Sequence, residues 1–100
     1  MVVHHRKAHK TPSRRLYRPK RGIKVTERKL GKHKAMGLAH SDGLVEVDPR
    51  QEAKDYLDTL IHELLHVIDP SKEWSEATVE RVANTLTYYL WKAGFRRVRD

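Results

Sequence analysis

The sequence predicts a small α+β domain: a three-stranded antiparallel sheet, then two helices packed as an antiparallel hairpin, behind an extended basic arm. Three observations predict it. Apolar residues alternate in short runs between residues 22 and 48, with turn residues separating the runs. From Leu57 onward apolar residues recur at helical spacing instead. Residues 1–21 show no apolar period at all. A chain of 100 residues suits one domain with a modest core, here residues 22–100, with residues 1–21 as the arm.

Each element follows from its residues. Gly22 to Arg28 alternates, with Ile23, Val25 and Glu27 on one face, and reads as a strand. Leu30 to His33 reads as a turn. Ala35–His40 and Leu44–Val47 form a hairpin, because Ser41-Asp42-Gly43 between two apolar runs supplies the turn. Asp48 then reads as a helix cap, with Pro49 at the first helical position and Gln51 completing a capping box. In the helix that follows, Leu57, Leu64, Leu65 and Ile68 fall within about 60° of Ile61 at about 100° per residue. Asp69-Pro70-Ser71 stops it. Ser75 is the expected cap of a second helix whose buried stripe is Val79, Val82, Ala83, Leu86 and Leu90, and Gly94 its left-handed end. The short connection forces the two helices antiparallel. Trp74 and Trp91 read as packing residues.

Inside the first helix, residues 62–66 are His-Glu-Leu-Leu-His. Two imidazoles one turn apart supply two ligands of a divalent zinc ion, and the carboxylate between them supplies a base for hydrolysis by an activated water. His62 and His66 lie at about 100° and 140° from Ile61, on the flank of the buried stripe. The competing explanation is an ordinary amphipathic helix with two exposed histidines. A three-ligand site needs one more group. No histidine follows His66, which leaves Asp69, Glu73, Glu76, Glu80 and, upstream, His40. An antiparallel hairpin sets the start of the second helix beside the end of the first. Glu76, nearer the buried stripe, is therefore the expected third ligand and Glu80 the alternative. A first-turn carboxylate such as Glu76 is also favoured by the helix dipole alone.

The stretch from Leu57 to Arg97 resembles the minimal zincin metallopeptidases of the gluzincin and SprT-like kind, including the short versions encoded by bacteriophages. The resemblance spans roughly residues 22–97 and is specific at the HExxH motif and diffuse elsewhere. It implies His62 and His66 as metal ligands and Glu63 as general base. It implies a glutamate as the third ligand, in the gluzincin manner, since the downstream histidine of the SprT-like group has no counterpart here. It also implies that a strand beside the active helix offers its edge to an extended peptide, and residues 35–48 are the candidate.

Composition bounds the remainder. The absence of cysteine excludes disulfides and thiolate metal sites. No apolar run is long enough to span a membrane, and the N-terminus has no apolar segment of the secretory kind. The expected location is therefore the cytoplasm of a bacterial or phage-infected cell. Residues 1–34 carry thirteen Lys or Arg and one acid, whereas residues 35–100 are net acidic. Such an arm suits a nucleic-acid backbone, with Arg14, Arg15, Arg18, Lys20 and Arg21 as expected contacts, or an acidic protein surface in a larger assembly. Only Tyr17 interrupts its charges, so the arm is no stacking platform. His4, His5 and His9 sit among cations that would repel a metal.

Two functions from different classes follow. One is a zinc-dependent peptidase acting on peptide or protein substrates, tethered to nucleic acid by its arm. The other is a non-catalytic, zinc-stabilised structural or DNA-binding module of phage type. Glu63 favours the enzyme, because structural zinc needs no base between its histidines. His40, Tyr88 and Tyr89 are the available oxyanion donors, with none assigned.

Overall fold

A computed structural model describes residues 22–31, 35–69 and 73–98. Five elements appear in chain order: β1 (Lys24–Glu27), β2 (Gly37–Ala39), β3 (Leu44–Val47), α1 (Ala53–Ile68) and α2 (Glu76–Lys92). The class is α+β, as expected, but the sheet is mixed. Its order is β1-β3-β2, with β2 antiparallel and β1 parallel to β3. The Asp-Gly hairpin forms: Gly43 takes φ 94°, and its N–H donates to the His40 carbonyl at 3.0 Å. β1 does not extend that hairpin beside β2. It joins the far side of β3, where Lys24 N–H donates to Gly43 and Arg28 N–H to Val47. The physical reason lies in β3, whose Val45 and Val47 are fully buried. A strand that apolar is best placed at the centre, paired on both edges.

The layers run sheet, α1, α2. α1 packs on β2, β3 and α2, while α2 packs on α1 and on none of the strands. Val45 and Val47 meet Tyr56 and Val67, with Ala39, Leu60 and Leu64 around them. This placement shifts the expected stripe. The fully buried residues of α1 are Tyr56 and Val67, on the sheet side and well away from Ile61. Residues 57–66 are all half-buried, because both sides of the helix are covered. β1 extends beyond that cover, which leaves Ile23 and Val25 exposed. In α2 the buried line is narrower than expected: Val79, Ala83 and Thr87, with Leu86 exposed. Ser75 caps α2 by accepting from Thr78 N–H, and Gly94 ends it at φ 97°.

The entry to α1 departs from the sequence reading. The helix begins at Ala53, after a Glu52 whose side chain makes no cap bond. Asp48 is fully buried and committed elsewhere. It accepts from Leu30 N–H at 2.9 Å, from Arg50 N–H at 3.0 Å and from the Arg50 guanidinium at 3.0 and 2.7 Å. Leu30, read as a turn residue, is fully buried as a result. Gln51 is no capping-box partner either. Its amide donates to the carbonyls of Asp48 and Met36, and its oxygen accepts from Thr59 Oγ1 at 2.7 Å. Residues 48–51 thus tie the end of the sheet to the first turns of α1. Among the described residues no helix is long and apolar enough to cross a membrane.

The Arg50 guanidinium, followed by the Leu30 and Arg50 amides, holds the Asp48 carboxyl well below the usual carboxylate range. A carboxyl more acidic in the folded state adds stability above its unfolded value, near pH 4, and loses that contribution as pH falls further. Asp48→Asn should therefore lower the thermal midpoint by about 5–10 °C at pH 7. Melts repeated at pH 3 should show the gap from wild type narrowed, whereas an unchanged gap would contradict this role for the charge.

Candidate metal centre

His62 and His66 project from consecutive turns of α1, their rings 4.9 Å apart. Glu76 is the first residue of α2 and reaches both. Its Oε1 lies 2.6 Å from His62 Nε2 and its Oε2 3.0 Å from His66 Nε2, while the two Nε2 atoms are 3.2 Å apart. What brings Glu76 here is the short connection between the helices. Asp69 ends α1 and accepts from Trp74 N–H at 3.0 Å, and Ser75 then turns the chain into α2. Trp74, expected to pack, is exposed at this corner.

Two imidazoles and a carboxylate are a donor set that a divalent metal ion accepts. Nitrogen and oxygen ligands about 2.0–2.2 Å from zinc at tetrahedral angles lie about 3.3–3.5 Å from one another. The two Nε2 atoms, 3.2 Å apart, come close to that, whereas each Glu76 oxygen, at 2.6 or 3.0 Å from its own imidazole, stands at hydrogen-bond distance. The two imidazole nitrogens, 3.2 Å apart, can share one proton at most. Among the described residues, His62, His66 and Glu76 are the one group of metal-ligating side chains that converge in this way. Glu76 is 64% exposed, which leaves the outer side of the site open to solvent.

Glu63 lies between the ligand face and the sheet. Burial pushes its carboxyl above the usual range, against the opposing pull of His62 and His66. The cause is visible in β2. A Cβ at Gly37 would stand 2.6 Å from Thr59 Cγ2 and 2.8 Å from Glu63 Cγ. Only a residue without a side chain lets the strand pass so close to the helix. The one signal in the sequence was an isolated glycine in a strand pattern. The edge of β2 away from β3 carries no strand partner among the described residues.

Behind His62, Asp58 anchors α1 to α2. Thr87 Oγ1 donates to it at 3.4 Å, and the Asn84 carboxamide, turned with its nitrogen toward the carboxylate, donates at 3.0 and 2.9 Å. Burial, the largest influence, raises the Asp58 carboxyl above its usual range. Nothing in the sequence pattern singles out Asp58 or Thr87 for this contact.

Other candidates fall outside the cluster. Glu80 is exposed one turn further along α2 and adds like charge near Asp58. Asp69 and Glu73 are not among the converging ligands. His40 is bound at 2.8 Å to Glu46, on the sheet face opposite Val45 and Val47, where Arg28 completes the ion pair at 2.6 Å. That bond takes the His40 ring away from the helices and from any oxyanion role. Tyr88 and Tyr89 stand on the distal half of α2, about 18 Å along the helix from Glu76. Arg14, Arg15, Arg18, Lys20 and Arg21 lie outside the described residues, as do His4, His5, His9 and His33. No family model, no curated protein and no solved structure matches the chain.

The close approach at Gly37 is directly testable. Gly37→Ala should cost about 1–3 kcal/mol in urea unfolding by overpacking against α1. Thr59→Ser removes the nearest methyl and keeps the hydroxyl, so the double variant should regain part of that loss. Strict additivity of the two changes would contradict the contact.

Proposed function

We propose that this chain is a zinc-dependent peptidase in which His62, His66 and Glu76 hold the metal and Glu63 is the general base. The observation that carries the proposal is the convergence of His62, His66 and Glu76, whose ligand atoms lie within 4.8 Å of one another, beside a carboxylate desolvated by a neighbouring strand. Bound there, zinc would supply Lewis acidity toward a water molecule and a substrate carbonyl. The chain's own groups account for the rest. Glu63, with its carboxyl raised by burial, is suited to take a proton from the attacking water and return it to the leaving amine. Gly37 keeps the backbone of β2 beside Glu63, so a peptide added to the open edge of that strand would run past the base. The exposed side of Glu76 leaves room for the scissile bond. A basic arm at residues 1–21 would deliver this activity to nucleic-acid-bound proteins.

A site that joins two helices in a domain this small would also stabilise the fold, which is the basis of the non-catalytic reading. One experiment separates them. The zinc-loaded chain is incubated with an unfolded protein bearing self-quenched fluorophores, alongside Glu63→Gln loaded to the same stoichiometry. The peptidase reading expects hydrolysis by wild type and a loss of about 10²–10⁴-fold in Glu63→Gln. Equal release by both proteins, or none by fully loaded wild type across unrelated substrates, would leave the centre a structural one.

A further inference from the structure

At the end of the helix pair remote from the metal centre, a cavity of about 300 Å³ opens between the start of α1 and the tail after α2. Tyr56, Leu57 and Leu60 form one wall, and Trp91 and Phe95 the other, with Arg96 and Arg97 also lining it. Both guanidiniums sit over rings: Arg96 over Trp91 at 3.5 Å and Arg97 over Tyr56 at 4.1 Å. Arg97 is also paired with Glu27. Arg96 donates only to the Trp91 and Phe95 carbonyls and takes part in no ion pair among the described residues. Phe95 is 63% exposed.

The C-terminal half of α2 and the tail after it carry one sign of charge. Residues 81–98 contain Arg81, Lys92, Arg96 and Arg97 and no Asp or Glu. On α2, Arg81, Tyr88 and Lys92 fall within about 40° of one another and so form a stripe on one flank of the helix. Lys92 Nζ sits 5.8 Å over the exposed Tyr88 ring. A ligand matched to this surface must offer flat apolar faces and repeated negative charge. We propose that it binds single-stranded nucleic acid, with one base entering the cavity beside Trp91 and Phe95, a neighbour stacking on Tyr88, and phosphates on Arg96, Lys92 and Arg81. Interleaved cations and rings are what sequence-tolerant single-strand binding requires, since every base has a π face and every linkage a charge. An acidic peptide would meet the charge and leave the rings unused. The basic arm has Tyr17 as its one aromatic residue, so this is a second and chemically different contact. It stands independently of the metal reading.

The test uses the full chain with Trp74→Phe, which leaves Trp91 as its one tryptophan. Titration with a fifteen-residue oligothymidylate should give saturable quenching of Trp91. Phe95→Ala and Arg96→Gln should each weaken it by about 10- to 100-fold, with circular dichroism melts confirming that both variants are folded. Replacing Arg14, Arg15 and Arg18 together by Gln should reduce the affinity and leave the quenching amplitude intact. No binding, binding of labelled oligonucleotide without a Trp91 response, or equal quenching by a poly-glutamate peptide or by duplex DNA would each overturn the assignment.

Discussion

Helix α1 is covered by the sheet on one side and by α2 on the other, and this packing fixes the direction of each chemically useful side chain. The sheet side takes Tyr56, Leu60, Leu64 and Val67. The α2 side is marked by Asp58, bonded to Thr87, and by His62, bonded to Glu76. Between the two lies Glu63, close enough to β2 that only glycine fits opposite it. A helix with one buried face would expose the HELLH segment to water. Here the same five residues are all half-buried, so the carboxylate is partly desolvated while the imidazoles still reach a solvent-open ligand. The proposed chemistry depends on that intermediate burial: full exposure would leave Glu63 an ordinary carboxylate, and full burial would close the site.

The apolar core is small, and buried polar groups are correspondingly well paired. Asp48 carries a guanidinium and two backbone amides, Glu46 an arginine and a histidine, and Asp58 two donors from α2. Among the described residues no buried side-chain nitrogen or oxygen lacks a partner. Each of these carboxylates joins segments distant in sequence. Asp48 fixes the loop after β1, Glu46 ties that loop and the hairpin bend to the outer sheet face, and Asp58 holds the helices together behind His62. Removing a single partner from such a set leaves part of a carboxylate's hydrogen-bonding capacity unsatisfied away from water, which costs more than an average surface contact.

What the sequence revealed and what it concealed differ in range. The Ser75 cap, the Gly94 end and the Asp42-Gly43 turn are local signals, and each appears where expected. The pairing of Glu76 with the two histidines was accessible because a short connection leaves two helices one way to pack. Strand order was not, because nothing local to Lys24–Glu27 distinguishes a place beside β2 from one beside β3. Asp48 misled for a related reason. An Asp before Pro is a good cap by local rules, yet the carboxylate has stronger partners in Leu30 and Arg50, one of them eighteen residues away. The role of Gly37 depended on how near the strand and helix would come, which the pattern alone does not state.

The central claim is that two histidines of α1 and the first residue of α2 form one metal site. Native mass spectrometry of the full chain after zinc loading and removal of excess metal tests it most directly, comparing wild type with His66→Ala, Glu76→Gln and Glu80→Gln. One zinc per chain in wild type and in Glu80→Gln, with loss or marked weakening in His66→Ala and Glu76→Gln, is the result this account predicts. Stoichiometric zinc that survives Glu76→Gln and disappears with Glu80→Gln would contradict the placement of the third ligand. No bound zinc at all would contradict the site itself.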